Sequence, residues 1–411
     1  MKTKPIFLGL FTAFFLFSVA QAQNLLNQGK WHAELKREDG HHIPFELDIQ
    51  KENGKYIAHI INGSERIKTA YIDFSQDSVI IRMPVFESYF KAKIITSDSL
   101  NGLWVNGSAD KDIIMPFIAL RGGSRFSKKK ISRTENVQGT WGIEFTRSNQ
   151  TKRRAIGELA QNGSHLSGSV LTPAADYRYL DGVVAGDSLF LSTFDGSHAL
   201  LLSAKIRNGE IDGHFYSSNY ASESWTAVKD ANLTLTPAVT EIKEGNNGRL
   251  DFSFKDLDEH TVSIKDERFK DKVVIVQIMG SWCPNCMDET AFLSEYYRKN
   301  KHRGIEIIAL AYELSANEER SVKSLKKFQS QFDVQYPMLN TGVAVGDPQR
   351  TEKTLPQLTA IQVFPTTIIL DKKGVVSAIE TSFYGPGAGE HHQRFKEHFE
   401  NSVDTLLDQP L

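Results

Sequence analysis

Val273-Val274-Ile275-Val276-Gln277-Ile278-Met279-Gly280-Ser281-Trp282-Cys283-Pro284-Asn285-Cys286 is the stretch whose reading decides the fold of the C-terminal part of the chain. Its first half is short, apolar and β-branched, the pattern of a buried strand. From Pro284 to Arg298 the pattern changes to that of a helix with proline in its first turn. Cys283 and Cys286 are the only two cysteines among 411 residues. They fall at a strand-to-helix turn, with Cys283 at the helix start. Free backbone N–H groups and the positive end of the helix dipole favour a thiolate there. A structural disulfide over so small a loop constrains the unfolded chain little. A zinc site lacks a second ligand pair. Haem attachment needs histidine where Met287 stands. Thiol–disulfide exchange is the reading the pattern favours.

Downstream, Ile305 to Tyr312 reads as a second buried strand. A polar helix (about Asn317 to Phe332), short strands at Pro337-Met338-Leu339 and Thr366 to Asp371, a turn into Val375 to Ile379, and a terminal helix from Glu390 to Leu407 follow. Strands alternating with helices predict an α/β domain over residues 248–411. Glu318, Glu319, Arg320, Lys323, Lys326 and Lys327 read as a solvent-facing helix surface. Upstream, residues 24–230 carry hairpin signals and no long helical periodicity. Asn-Gly recurs at Asn53, Asn62, Asn101, Asn106, Asn162 and Asn208. This part is expected to be all-β, either barrel or sandwich.

The β-rich part also looks duplicated. Trp31-His32-Ala33-Glu34-Leu35 has a counterpart 110 residues later in Trp141-Gly142-Ile143-Glu144-Phe145. Asp77-Ser78-Val79-Ile80 matches Asp187-Ser188-Leu189-Phe190, and Leu100-Asn101-Gly102-Leu103-Trp104 resembles Ile211-Asp212-Gly213-His214-Phe215. The predicted repeats are 24–125 and 135–230. The basic run from Arg125 to Lys130 reads as a solvated linker between them, and residues 231–247 as a second linker.

Lys2 and Lys4, an apolar run from Ile6 to Ala20 and Ala20-Gln21-Ala22 have the form of an export leader over residues 1–22. The chain is therefore expected to be exported to the periplasm, with no integral membrane segment after cleavage. A net charge of −2 gives no reason to expect nucleic acid as a partner. The pairs His41-His42 and His391-His392 lack convincing ligand spacing, so neither metal nor cofactor is predicted.

With these landmarks in place, residues 250–408 resemble the TlpA/ResA-like class of exported thiol–disulfide oxidoreductases, which have a thioredoxin fold. The resemblance rests on the Phe252-Ser253-Phe254 entry, the apolar strand, Trp-Cys-Pro-Asn-Cys, an inserted helix, and Val363-Phe364-Pro365-Thr366-Thr367. It implies Cys283 as an exposed nucleophile and Cys286 as the resolving thiol. It also implies a cis peptide before Pro365, and a substrate surface made by Trp282, Pro284, Phe364 and Pro365. Where many thioredoxins carry a buried Asp, this chain has Gln277; Glu313 is the expected substitute acid. The implied partners are disulfide-containing client proteins and a membrane-bound thiol electron donor, with reduction the expected direction. The alternatives are an oxidase or isomerase, or a ligand-binding β module with an accessory redox domain.

Overall fold

The computed structural model describes residues 26–126 and 134–411. The leader, and Ser127 to Lys130 of the expected basic linker, lie outside the described residues. What is described comprises two β modules and an α/β module. The first is a nine-stranded antiparallel sheet in which the strands Gly29–Lys36 and Ile113–Arg121 pair. The break in that sheet falls between Glu65–Tyr71 and Asp73–Ser75, which are consecutive in the chain. The second runs from Gly139–Thr146 to Ala221–Lys229 as a closed eight-stranded barrel.

Period-two alternation builds both. In Gly139–Thr146 the buried positions are Trp141, Ile143 and Phe145, every second residue, which is what an inward-facing strand requires. The paired landmarks occupy equivalent places. The Trp31 indole donates to Asn27 O and the Trp141 indole to Val137 O, each four residues back. A Cβ on Gly102 would sit 2.1 Å from Lys91 O, and one on Gly213 would sit 2.1 Å from Ser203 O. Both glycines thus mark a strand crossing too tight for a side chain. Asn101-Gly102 consequently lies inside the strand Ser99–Asn106 and is not the hairpin turn its sequence suggests.

The expected solvated linker needs correction at its start. Arg125 is buried; its Nε lies 3.2 Å from Asp181 Oδ2, and Nη1 donates to Ser192 Oγ at 3.1 Å. Phe126 packs on Phe190. A buried guanidinium joins the two β modules there, because its charge is met by Asp181.

The α/β module is a seven-stranded sheet. At its centre Val273–Met279 is parallel to Ile305–Ala311 and antiparallel to Thr366–Leu370. All seven residues of Val273–Met279 are buried, as expected of a strand covered on both faces. Helices α1 (Pro284–Asn300), α2 (Glu318–Gln331), α3 (Arg350–Thr354) and α4 (Glu390–Asp408) accompany it. Helix α2 is not solvated throughout, as its charges suggest. Lys327 donates to Phe86 O at 2.7 Å and Arg320 to Gly107 O, so this helix docks on the first β module. Among the described residues no helix is long and apolar enough to cross a membrane.

Candidate functional site

The central strand ends at Met279, and the chain turns through Gly280 and Ser281 into α1. A Cβ on Gly280 would meet the Trp282 indole nitrogen at 2.2 Å, so only glycine lets the ring fold back over the turn. That indole then donates to Tyr312 O at 2.8 Å. Cys283 is the N-cap of α1, and the Cys286 backbone N–H points at Cys283 Sγ from 3.2 Å. A free N–H aimed at sulfur at a helix start stabilises negative charge there. Cys283 and Cys286 are joined as a disulfide, with Cα atoms 5.2 Å apart. The Phe364–Pro365 peptide is cis, and Phe364 O lies 3.6 Å from Cys283 Sγ. The Trp282 and Phe364 rings stand 5.7 Å apart beside the pair.

One expectation about this centre fails. Cys283 is only 4% exposed. Two loops, one from each β module, meet over the turn. From the first, Val85 and Phe86 join the apolar cluster that contains both cysteines. From the second, Ser197 Oγ donates to Trp282 O at 3.1 Å. The loops also bind each other, Ser88 Oγ donating to Gly196 O. Sequence patterns describe each module separately, so they hold no sign of this closure.

Glu313 lies where the strand end was expected to put it, close to the cysteine turn. It is buried and accepts from Ser281 N at 2.8 Å and Ser281 Oγ at 2.6 Å. Burial raises its pKa despite those bonds. A second buried acid was missed. Glu289 accepts from Gln277 Nε2 at 2.8 Å and Thr367 Oγ1 at 2.7 Å, and burial pushes it up to about 7. The signal was available: Glu289 is three residues after Cys286, so both share a helix face, and Gln277 points in from the adjacent strand. Helix α1 thus supplies a second buried acid one turn beyond Cys286, with Gln277 as its hydrogen-bond partner.

Asp288, the next residue back, anchors the modules to one another. Arg178 grips it through Nε at 2.8 Å and Nη2 at 2.9 Å, and Arg178 Nη2 also reaches Glu65 of the first β module at 2.6 Å. All three side chains are at most 10% exposed. Burial raises the pKa of both Glu65 and Asp288.

Known proteins resemble the C-terminal part of the chain. Residues 243–386 match the Redoxin family. The thiol-disulfide oxidoreductase ResA of Bacillus thuringiensis subsp. konkukian is 31% identical over 126 residues, covering 30% of this chain and 62% of the relative. The chain thus spans somewhat under two thirds of that protein's length. The thioredoxin-like protein YneN of Bacillus subtilis is 25% identical over 138 residues, 34% of this chain and 71% of the relative. Among solved structures, a thioredoxin-family thiol:disulfide interchange protein of Chlorobium tepidum has 21% identity and a TM-score of 0.29, covering 39% of this chain and 96% of that one. Residues 243–386 of this chain are thus a Redoxin domain, similar in sequence to the ResA thiol-disulfide oxidoreductases.

Proposed function

We propose that the chain is an exported thiol–disulfide oxidoreductase that reduces disulfides through Cys283 and Cys286. The observation that carries this reading is the Cys283 sulfur at the start of α1 with the Cys286 N–H directed at it. In the reduced protein the Cys283 thiolate attacks one sulfur of a substrate disulfide. A mixed disulfide forms and one substrate thiolate leaves. Cys286, deprotonated, then attacks Cys283 Sγ, releasing the second substrate thiol and closing the Cys283–Cys286 bond. Two electrons pass from the pair to the substrate, and a membrane-bound dithiol donor restores them. Glu289, on the face of α1 that carries Cys286, is suited to take the resolving proton, and Glu313 holds the turn through Ser281. Trp282, Pro284, Phe364 and Pro365 are the proposed substrate contacts beside the sulfurs; Pro284 and Pro365, like Cys283, are buried in the closed protein.

The test is trapping. Cys286→Ala should accumulate covalent adducts through Cys283 that dithiothreitol releases, and Cys283→Ala should not. A chain that forms no adduct with any disulfide when reduced would end this reading. The reduction potential decides direction: a value near −120 mV, as for strong periplasmic oxidants, would replace reductase by oxidase.

A further inference from the structure

The buried state of Cys283 raises the question of how any disulfide reaches it. The closed barrel presents one end to the cysteine turn. At that end lie its loops 147–151, 172–179, 195–198 and 218–220. Within this mouth is a cavity of about 450 Å³ whose lining includes Asn285, one of the two residues between the cysteines. Small-molecule sites are typically about 300–1,000 Å³, and no folded protein enters such a space.

The walls carry both signs of charge. On one side Arg153 is held by Glu223 at 2.6 Å and by the Tyr177 hydroxyl at 2.8 Å, with Arg147 3.2 Å from the same glutamate. Two arginines around one carboxylate leave that side positive. On the other side Asp195 is buried, and its Oδ2 has only distant company, His198 at 3.6 Å and Arg178 at 3.8 Å. Tyr177 and Phe215, whose rings stack 5.3 Å apart with the Arg153 guanidinium over both, also line the cavity. Two buried donors in the lining have no hydrogen-bond partner: Arg178 Nη1 and Asn285 Nδ2. An unmet buried donor is costly, and a ligand oxygen relieves that cost.

We infer that the mouth of the second barrel is a binding site for a small zwitterionic disulfide, of the amino-acid or short-peptide class, held beside Asn285 of the cysteine turn. Its carboxylate meets the two orphan donors and the arginine wall, and its ammonium meets Asp195. The loop holding Asp195 and His198 also donates Ser197 Oγ to Trp282 O, so an occupied cavity adjoins the residue before the nucleophile. This inference rests on the exchange reading above and names its substrate class. The chemistry is balanced as before: one zwitterionic disulfide takes two electrons and two protons and leaves as two thiols, while Cys283 and Cys286 become the disulfide.

Two measurements on the full chain test it. In the first, binding of L-cystathionine, which has the zwitterionic ends of L-cystine but no disulfide, is measured by calorimetry on the oxidised protein. Binding should be saturable and should weaken at least tenfold in Ala175→Trp, which puts bulk on a loop at the cavity rim, and in Arg153→Met. In the second, the reduced protein reacts with L-cystine, with bis(2-hydroxyethyl) disulfide and with insulin, each rate divided by that of dithiothreitol with the same disulfide. L-Cystine should lead the neutral disulfide at least tenfold, and Ala175→Trp should remove the lead. Absent cystathionine binding, an equal rate for the neutral disulfide, or insulin as the preferred substrate each overturns the site while leaving disulfide exchange standing. If none of the three disulfides reacts although cystathionine binds, the exchange reading fails and the site survives.

Discussion

Replacing Glu289 by glutamine is expected to make the α/β module more stable at alkaline pH and to leave it unchanged in acid. The carboxyl is fully enclosed, with Gln277, Thr367 and no cation among its hydrogen-bond partners. Burial therefore disfavours its charged form and moves it from 4.5 to about 7. Below pH 4.5 both the folded and unfolded chains hold the proton, and the group costs nothing. Between there and about 7 the unfolded chain releases its proton while the folded chain keeps it, so stability falls as pH rises. At about 1.36 kcal/mol per pH unit, that interval amounts to about 3 kcal/mol by pH 8. Glutamine has the shape of the protonated carboxyl and pays none of it. Hydrogen exchange of the amides in Val273–Met279 reads the opening free energy of this module without the β modules. The variant should exceed wild type by about 3 kcal/mol at pH 8 and match it near pH 4.5. A difference that is the same at both pH values would show that Glu289 ionises freely, and its proposed proton role would go with it.

Three further outcomes are expected. Arg178→Met leaves Asp288 and Glu65 buried without their cation, which should cost about 3–5 kcal/mol and speed alkylation of Cys283 in the reduced protein; unchanged alkylation would mean the clamp does not hold the loops closed. Gly213→Ala drives a Cβ into Ser203 O and should destabilise the second barrel by about 1–3 kcal/mol, seen as a lower melting temperature, whereas Gly346→Ala, with open space around it and no positive φ, should cost less. Glu313→Gln keeps an acceptor for Ser281 and should preserve the fold while slowing exchange near neutral pH; unchanged rates would remove this acid from the mechanism.

The α/β half was legible almost to the residue. A seven-residue buried strand, a proline at the helix start and a Pro365 directly before a strand are local signals, and the local chain obeys them. The β half was legible as a class and in its landmarks. Trp31 and Trp141 repeat the same indole bond and Gly102 and Gly213 the same crossing, parallels that we read as a duplication. What escaped was everything that one module does to another. Arg125 and Lys327 carry the composition of solvated segments, yet each finds acceptors on a different module. The closed Cys283 is the same case: its covering residues, Phe86 and Ser197, are separated from it by 85 positions or more. Periodicity reports on neighbours along the chain, and these contacts have no period.

The two loops that meet above the cysteine turn also bear on what the reduced protein can lose. The closure is seen on the disulfide; a dithiol covered in the same way would be shielded from dissolved oxidants and passing thiols, and its electrons would stay in place between turnovers. Leakage then depends on how often a few weak contacts, such as Ser197 to Trp282 and Ser88 to Gly196, let go. Under oxidising conditions such insulation would let reducing equivalents accumulate as reduced protein until a fitting acceptor arrives.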